Sequence, residues 1–95
     1  GELTKLVGRL RFATEGDDAG LVAEAENEIH LLAGHLPDNH GITRLVVAVK
    51  SSDEHGAELA DLYLRRCYHL VQEEYGRLGQ LDEQISALES RPGPE

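Results

Sequence analysis

Apolar residues in the first part of the chain recur every three or four positions, the spacing that places side chains on one face of an α-helix. The series consists of Leu3, Leu6, Val7, Leu10 and Ala13. It predicts a first helix from about Glu2 to Thr14. Gly16 breaks the pattern. Asp17 and Asp18 are candidate N-caps for the next element, because their carboxylates can accept hydrogen bonds from free backbone N–H groups.

A second apolar stripe advances in steps of four, four, three and four residues, and it predicts an amphipathic second helix. Its members are Leu21, Ala25, Ile29, Leu32 and Leu36. Pro37 is predicted to end this helix, because proline lacks the N–H that a helix interior requires. The turn residues PDNHG, at 37–41, separate it from the next element.

The segment GITRLVVAVKSS, at 41–52, fits two structures. Ile42, Leu45, Val46 and Val49 have helical spacing, whereas the β-branched residues at 46, 47 and 49 also suit a short buried strand. A strand needs a partner, and the only candidate is LVGRLRFA near the start of the chain; the two strands would give a β-α-β-α sandwich. The sequence favours the helix and leaves the sandwich as the alternative.

The stretch from Ser51 to Ser90 contains no proline, and Ser51 followed by Glu54 has the pattern of a capping box at a helix start. An apolar seam then advances in alternating steps of three and four over about four heptads. It runs through Ala57, Ala60, Leu64, Cys67, Val71, Glu74, Leu78, Leu81, Ile85 and Leu88. This pattern predicts one continuous helix of roughly 57 Å, much longer than the width of about 25 Å expected for a globule of this size.

The two halves of this predicted helix differ in the width of their apolar face. The face is broad up to Tyr75, which suits a bundle core, and narrow beyond it, which suits contact with one other helix. The distal seam positions are Leu78, Leu81, Ile85 and Leu88. Covering them is worth a few kcal/mol, at about 1.5–3 kcal/mol per buried side chain. A homodimer is the simplest cover; the alternative is that the last turns fold back onto the first helix.

Three residues near the middle of the seam have open roles. Gly76 and Gly79 could mark a hinge, a close approach of another backbone or tolerated surface positions. Glu74 could set the register of an interface, pair with Arg77 or point into solvent. The fold class predicted from the whole pattern is an all-α bundle of three or four helices over residues 1–90. Its long C-terminal helix pairs in a homo-oligomer through the distal half, and the tail at 91–95 is predicted to be disordered.

Charge and composition narrow the range of partners. The chain has 18 acidic and 9 basic residues and a net charge of −9. This charge disfavours nucleic acid, which requires clustered lysine and arginine, and anionic membranes. Basic protein surfaces, cations and small molecules remain. The single Cys67 precludes an intrachain disulfide, and no membrane span or signal peptide is visible. A cytoplasmic location is therefore predicted.

Histidines and carboxylates lie one helical turn apart at several places, the spacing with which one helix face presents two metal ligands. Glu26 precedes His30 by four residues, and His55 precedes Glu58 by three. The stretch EHGAELADLYLRR, at 54–66, resembles helices of short ferritin-like proteins that build their iron site on dimerising. The resemblance implies a divalent-metal or iron site at an oligomer interface. The order His-x-x-Glu reverses the family's Glu-x-x-His.

The stretch RLVVAVKSS, at 44–52, resembles the His-x-x-Lys-Gly segment of histidine-containing phosphotransfer domains, which are four-helix bundles. Lys50 aligns with the lysine, Ser51 with the glycine and Val47 with the phosphorylated histidine. The resemblance implies a signalling domain that lacks the phosphoryl acceptor.

Catalytic patterns have little support in this sequence. Cys67 and His69 are two positions apart in the predicted helix, so their side chains point in different directions. There is no glycine-rich phosphate loop or nucleophile elbow. The sequence therefore favours a non-enzymatic interaction or assembly module that self-associates through its C-terminal helix. The metal protein and the phosphotransfer-like domain are the alternatives.

Overall fold

The structure, a computed structural model, describes residues 1–37, 40–51 and 53–90 as an all-helical chain. The α-helices are α1 (Glu2–Glu15), α2 (Ala19–Ala33), α3 (Ile42–Lys50), α4 (Glu54–Val71) and α5 (Leu78–Glu89), and a 3-10 turn spans Tyr75–Arg77. These ranges contain no strand, so the all-α prediction is confirmed and the β-α-β-α alternative is wrong. The predicted number of three or four helices is too low, because the described residues form five α-helices. None of these helices is long and apolar enough to cross a lipid bilayer. The predicted disordered tail at 91–95 lies outside the described residues.

The first two helices begin where the sequence predicted, but α2 ends early. The Asp18 carboxylate accepts a hydrogen bond from the Leu21 N–H at 3.1 Å, which makes Asp18 the N-cap of α2. α2 ends at Ala33, and the N–H of Leu36 donates to the Ala33 carbonyl at 3.0 Å in a tightened last turn. Leu36 therefore lies beyond the helix, whereas the apolar stripe had placed it inside.

The predicted continuous helix from Ser51 to Ser90 is wrong at its start. α4 begins at Glu54, and the Asp53 carboxylate caps it by accepting a hydrogen bond from the His55 N–H at 3.0 Å. Ser51 instead follows the last residue of α3 in an extended conformation, and its hydroxyl oxygen accepts from the Asp53 N–H at 3.1 Å. The capping-box pattern thus marked the connection between two helices rather than the helix start.

The same prediction is wrong in the middle of the segment, because α4 ends at Val71. Glu73 has a left-handed backbone with φ of 59°, and the Glu74 N–H donates to the His69 carbonyl at 2.8 Å. These features form the Schellman arrangement that closes many helix ends. The chain then turns, and α5 packs back against α4.

A single buried cluster joins all five helices, and α5 contributes to it directly. Its α5 members are Leu81, Ile85 and Leu88, and Leu78 is half-buried. The apolar seam predicted to pair with a second chain is therefore covered by the chain's own helices, chiefly α4 and not the first helix. The principal extents of 39 × 38 × 17 Å leave no room for a straight helix of roughly 57 Å.

Ion pairs among the described residues connect different helices of the bundle. Arg9 of α1 meets Glu28 of α2 at 3.0 Å, and Lys50 of α3 meets Glu26 of α2 at 2.6 Å. Arg11 of α1 also lies 3.6 Å from Asp61 of α4. Apart from Glu26, which is 25% exposed, these side chains are exposed, and pairs of this kind contribute only about 0–1 kcal/mol. The buried apolar cluster accounts for the packing of the helices, and the ion pairs form where that packing brings opposite charges together.

Candidate functional site

The structure separates the four predicted metal ligands. Glu26 and His30 line a groove between α2 and α3, where the Lys50 ammonium already neutralises the Glu26 carboxylate at 2.6 Å. His55 lines a different groove between α3 and α4, and Glu58 is exposed on α4. In the described part of the chain no three His, Cys, Asp or Glu side chains are grouped to hold a metal ion. A metal site shared between copies of the chain stays a prediction.

The position that aligned with the phosphorylated histidine lies on a solvent-facing part of α3. Val47 is 66% exposed there, and its hydrocarbon side chain cannot accept a phosphoryl group. Lys50, which aligned with the family's lysine, is paired with Glu26. The resemblance to phosphotransfer domains stays a prediction.

The single cysteine is a buried structural residue. Cys67 is 2% exposed, and its thiol donates a hydrogen bond to the His40 carbonyl at 3.0 Å. Burial raises the pKa of this thiol to about 11, although the nearby Arg66 guanidinium acts in the opposite direction. His40 is also buried, with its Nδ1 atom 3.1 Å from the Pro37 carbonyl oxygen. A protonated thiol is a poor nucleophile. The hydrogen bond between Cys67 and His40 attaches the segment before α3 to α4.

A polar cluster holds α5 against α4. The Tyr63 hydroxyl donates to the Glu89 carboxylate at 2.6 Å, and the Arg66 guanidinium donates to Asp82 at 2.8 Å. Burial, followed by the hydrogen bond to Glu89, raises the pKa of the Tyr63 hydroxyl. Arg44 also lines this region. Two arginines face two carboxylates here, so the cluster offers no excess charge to a ligand and serves to fix the helix pair.

An apolar concave surface lies where α1, α2 and α4 converge, and we call it the α1–α2–α4 groove. It has a volume of about 340 Å³, at the lower end of the range for ligand-binding clefts. The lining residues are Gly1, Glu2, Leu3, Thr4, Leu32, Leu36, Leu64, Cys67, Tyr68, Val71 and Gln72. Residues 64, 68 and 71 of α4 recur at helical spacing, so one stripe of that helix forms a wall of the groove.

The groove combines a half-buried floor with an exposed rim. Leu3, Leu32, Leu36 and Leu64 are half-buried and pack against the core cluster. Tyr68 and Val71 are 60% and 57% exposed. Tyr75, just beyond α4, is 60% exposed as well. Apolar side chains of this size at the edge of an apolar concavity are a common sign of a binding surface.

The charge around the groove is sparse and slightly acidic. Among the described residues that line it, Glu2 is the only one with a charged side chain. Glu73 and Glu74 follow Gln72 in sequence, and Glu74 is held by His69, whose Nδ1 atom lies 2.9 Å away. Lys5 and Arg65 follow lining residues on α1 and α4. The immediate surroundings therefore carry a small excess of acidic groups, within a chain whose net charge is −9.

Sequence reasoning identified most of the groove's leucines as members of helical stripes but did not bring them together. Val71 was placed on the buried seam, and Tyr68 was not singled out. The available signal was that Tyr68 lies four residues after Leu64 and three before Val71, both seam residues, so the three form one stripe on α4. Which helices flank that stripe depends on tertiary packing, since Leu3 and Leu36 are far from it in sequence.

In comparisons with known proteins, no family model matches the chain, and no curated protein or solved structure shows significant similarity. A function has to be inferred from the geometry, burial and charge of the chain itself.

Proposed function

We propose that this chain is a non-enzymatic protein-interaction module and that its docking surface is the α1–α2–α4 groove. The observation that carries the proposal is the exposure of Tyr68 and Val71, at 60% and 57%, on the rim of a groove with a leucine floor. A partner that covers these side chains removes apolar surface from water, which favours association by about 25 cal/mol per Å².

The groove replaces the surface on α5 as the candidate interface. Self-association through Leu78, Leu81, Ile85 and Leu88 would require three of these side chains to leave the core. The groove residues are already accessible. A second exposed apolar pair, Phe12 and Leu21, lines a groove between α1 and α2. The Arg9–Glu28 ion pair belongs to that same groove, so a ligand there would have to displace or accommodate it.

The non-enzymatic part of the proposal is supported by the roles of the reactive groups. The Cys67 thiol has a raised pKa and donates to a backbone carbonyl. The Tyr63 hydroxyl donates to Glu89 and joins α4 to α5. Both groups are engaged in holding helices together.

A displayed library of helix-forming peptides tests the proposal. Peptides are selected on the wild-type chain and counter-selected on a Val71→Asp variant, which places a carboxylate at the groove rim. Val47→Asp is the matched control, because Val47 is a similarly exposed valine on α3. We expect enriched peptides that bind wild type and Val47→Asp but not Val71→Asp. Peptides that bind all three equally, together with a wild type that is monomeric by light scattering, would overturn the proposal.

A further inference from the structure

The architecture of the α1–α2–α4 groove restricts the kind of partner it can take. We infer that its occupant is an amphipathic helix of another protein, with an apolar stripe and basic flanking residues. This inference rests on the proposed function and adds the chemistry of the partner.

The backbone of the chain favours a helical occupant. Strand addition requires an exposed sheet edge, and residues 1–37, 40–51 and 53–90 contain no strand. Recognition of proline-rich segments uses grooves lined by several aromatic rings, whereas Tyr68 is the only aromatic residue among the described lining residues. Capture of phosphorylated peptides uses arginine clusters, and Arg44 and Arg66 line a different groove. An apolar groove between helices fits the remaining common mode, in which a helix lays its apolar face into the groove.

The size of the side chains in the groove agrees with this mode. Tyr68 and Val71 stand at the exposed rim, above a floor of half-buried leucines that includes Leu3. A bound helix presents anchors at positions i, i+3, i+4 and i+7 along one face. Two or three such anchors would cover the exposed parts of Tyr68 and Val71, which have no cover from the described residues of this chain.

Charge complementarity favours a bound helix with basic residues on either side of its apolar stripe. Glu2 is the charged side chain on the groove lining, and the net charge of −9 attracts cationic partners from beyond contact distance. The same charge opposes a second copy of the chain, because two such molecules repel each other. A basic helix from a different protein is therefore favoured over self-association.

Two synthetic peptides of about 18 residues, roughly five helical turns, test the inference. They share one leucine stripe; one carries lysine on its flanks and the other glutamate. A scrambled lysine peptide keeps the charge and loses the stripe. Affinity is measured by fluorescence anisotropy, and the contact surface is mapped by amide chemical shifts. Any purification tag is placed after residue 95, because Gly1 lines the groove.

We expect the lysine-flanked stripe peptide to bind and to shift amides of Leu3, Tyr68 and Val71. Val71→Asp should weaken binding by more than about tenfold, the loss that marks a central interface contact, whereas Val47→Asp should leave it unchanged. Glu2→Lys should weaken it by roughly threefold, as expected for loss of a surface charge contact. Glu54→Lys, which also changes the first residue of a helix, should have a smaller effect. Affinity should fall as the ionic strength rises toward about 0.15 M.

Other outcomes would overturn the inference. If the scrambled peptide bound as tightly as the lysine-flanked stripe peptide, charge attraction alone would explain the binding and the groove would have no role. If the glutamate-flanked peptide bound equally well or more tightly, the inference that the partner helix has basic flanks would be wrong. The proposed function as an interaction module would remain. Concentration-dependent self-association that Val71→Asp abolishes would make a second copy the occupant, again without overturning the module. Binding of none of the peptides, combined with a monomeric chain, would overturn both proposals.

Discussion

Gly56 shows how one residue determines the approach of two helices. It is buried near the start of α4, and a Cβ atom there would lie 2.8 Å from the Ser51 Cβ and 2.9 Å from the Ala48 carbonyl oxygen. Contacts this short do not occur in relaxed structures, and one of the two atoms belongs to the backbone of α3. The close packing of α3 on α4 therefore depends on glycine at this position.

Gly56→Ala is expected to destabilise the chain by about 1–3 kcal/mol, the usual loss from overpacking a tight contact. The matched control is Gly8→Ala in α1, where a Cβ would meet nothing within 4 Å. That change should stabilise the chain by up to about 1 kcal/mol, because alanine has the higher helix propensity. Urea unfolding followed by circular dichroism measures both. Stabilisation by Gly56→Ala would contradict the helix contact described here.

Cys67 gives a residue-scale prediction about pH. Burial raises the pKa of its thiol to about 11, whereas a thiol in an unfolded chain titrates near about 8.5. Between these values the unfolded state has lost a proton that the folded state retains, so the folded state becomes less stable as pH rises. The thiol's contribution is fully present below about pH 8.5 and is lost as pH approaches 11.

The free energy of unfolding of the wild type should therefore fall by about 2 kcal/mol more than that of Cys67→Ala between about pH 8.5 and pH 10.5. The comparison uses the change of each protein's free energy of unfolding with pH, so the constant loss of packing in Cys67→Ala does not enter. The Tyr63 hydroxyl, whose pKa is also raised, titrates in both proteins and cancels. Denaturant unfolding at a series of pH values provides the measurement. Parallel curves would show that the thiol is not protected by the fold.

At the scale of helices, the decisive event is the end of α4. Glu73 adopts a left-handed conformation with φ of 59°, which costs a residue other than glycine about 1–2 kcal/mol. Burial of Leu81, Ile85 and Leu88 in the same chain yields about 1.5–3 kcal/mol per side chain. The helix therefore breaks, because the gain from folding α5 back exceeds the local strain. Gly76 and Gly79, the expected hinge candidates, lie just after the break and have open space around them.

The same strain predicts a stabilising substitution. Glu73→Gly is expected to raise the free energy of unfolding by about 0.5–1 kcal/mol, since glycine adopts positive φ without a steric penalty but loses more backbone entropy on folding. Glu73→Ala removes the same carboxylate without relieving the backbone and should give no gain. Thermal and urea unfolding of the three proteins would distinguish them. An equal gain from both substitutions would assign the effect to charge instead of backbone strain.

At the scale of the whole molecule, the question is what covers the apolar face of α5. A dimer would also bury these side chains, but association costs an estimated 4–15 kcal/mol in lost translational and rotational freedom. Folding back within one chain avoids that cost. It also avoids bringing together two chains that each carry a charge of −9. Both terms favour the hairpin of α4 and α5 over the predicted paired helix.

Leu81→Ala tests this assignment. Because Leu81 is 7% exposed within the chain's own core, the substitution should lower the free energy of unfolding by about 2–5 kcal/mol. The unfolding midpoint of each protein should not vary with protein concentration. Gln84→Ala, at an exposed position of α5, should change stability by no more than about 0.5 kcal/mol. A midpoint that rises with concentration would show that a second chain covers α5 after all.

The candidate groove was predictable only in part. Periodicity placed Leu3, Leu32 and Leu64 on helix faces. The convergence of these leucines beside Tyr68 and Val71 depended on how α1 and α2 pack against α4. The same limit applies to the predicted metal ligands, which lie at different grooves within one chain, since spacing along one helix fixes a shared face but not what stands opposite it.

By itself the sequence predicted α1 to within a residue at each end and narrowed the N-cap of α2 to two aspartates. It also favoured a helical α3, and with it the all-α class, over the strand alternative. These features depend on interactions between residues that are close in sequence, and such interactions can be predicted from apolar spacing and capping side chains. The tertiary structure alone decided that the last segment breaks at Glu73 and covers its own leucines. Gly76 and Gly79 lie near that break but do not decide it, because it results from a balance between modest backbone strain and the burial of side chains against other helices.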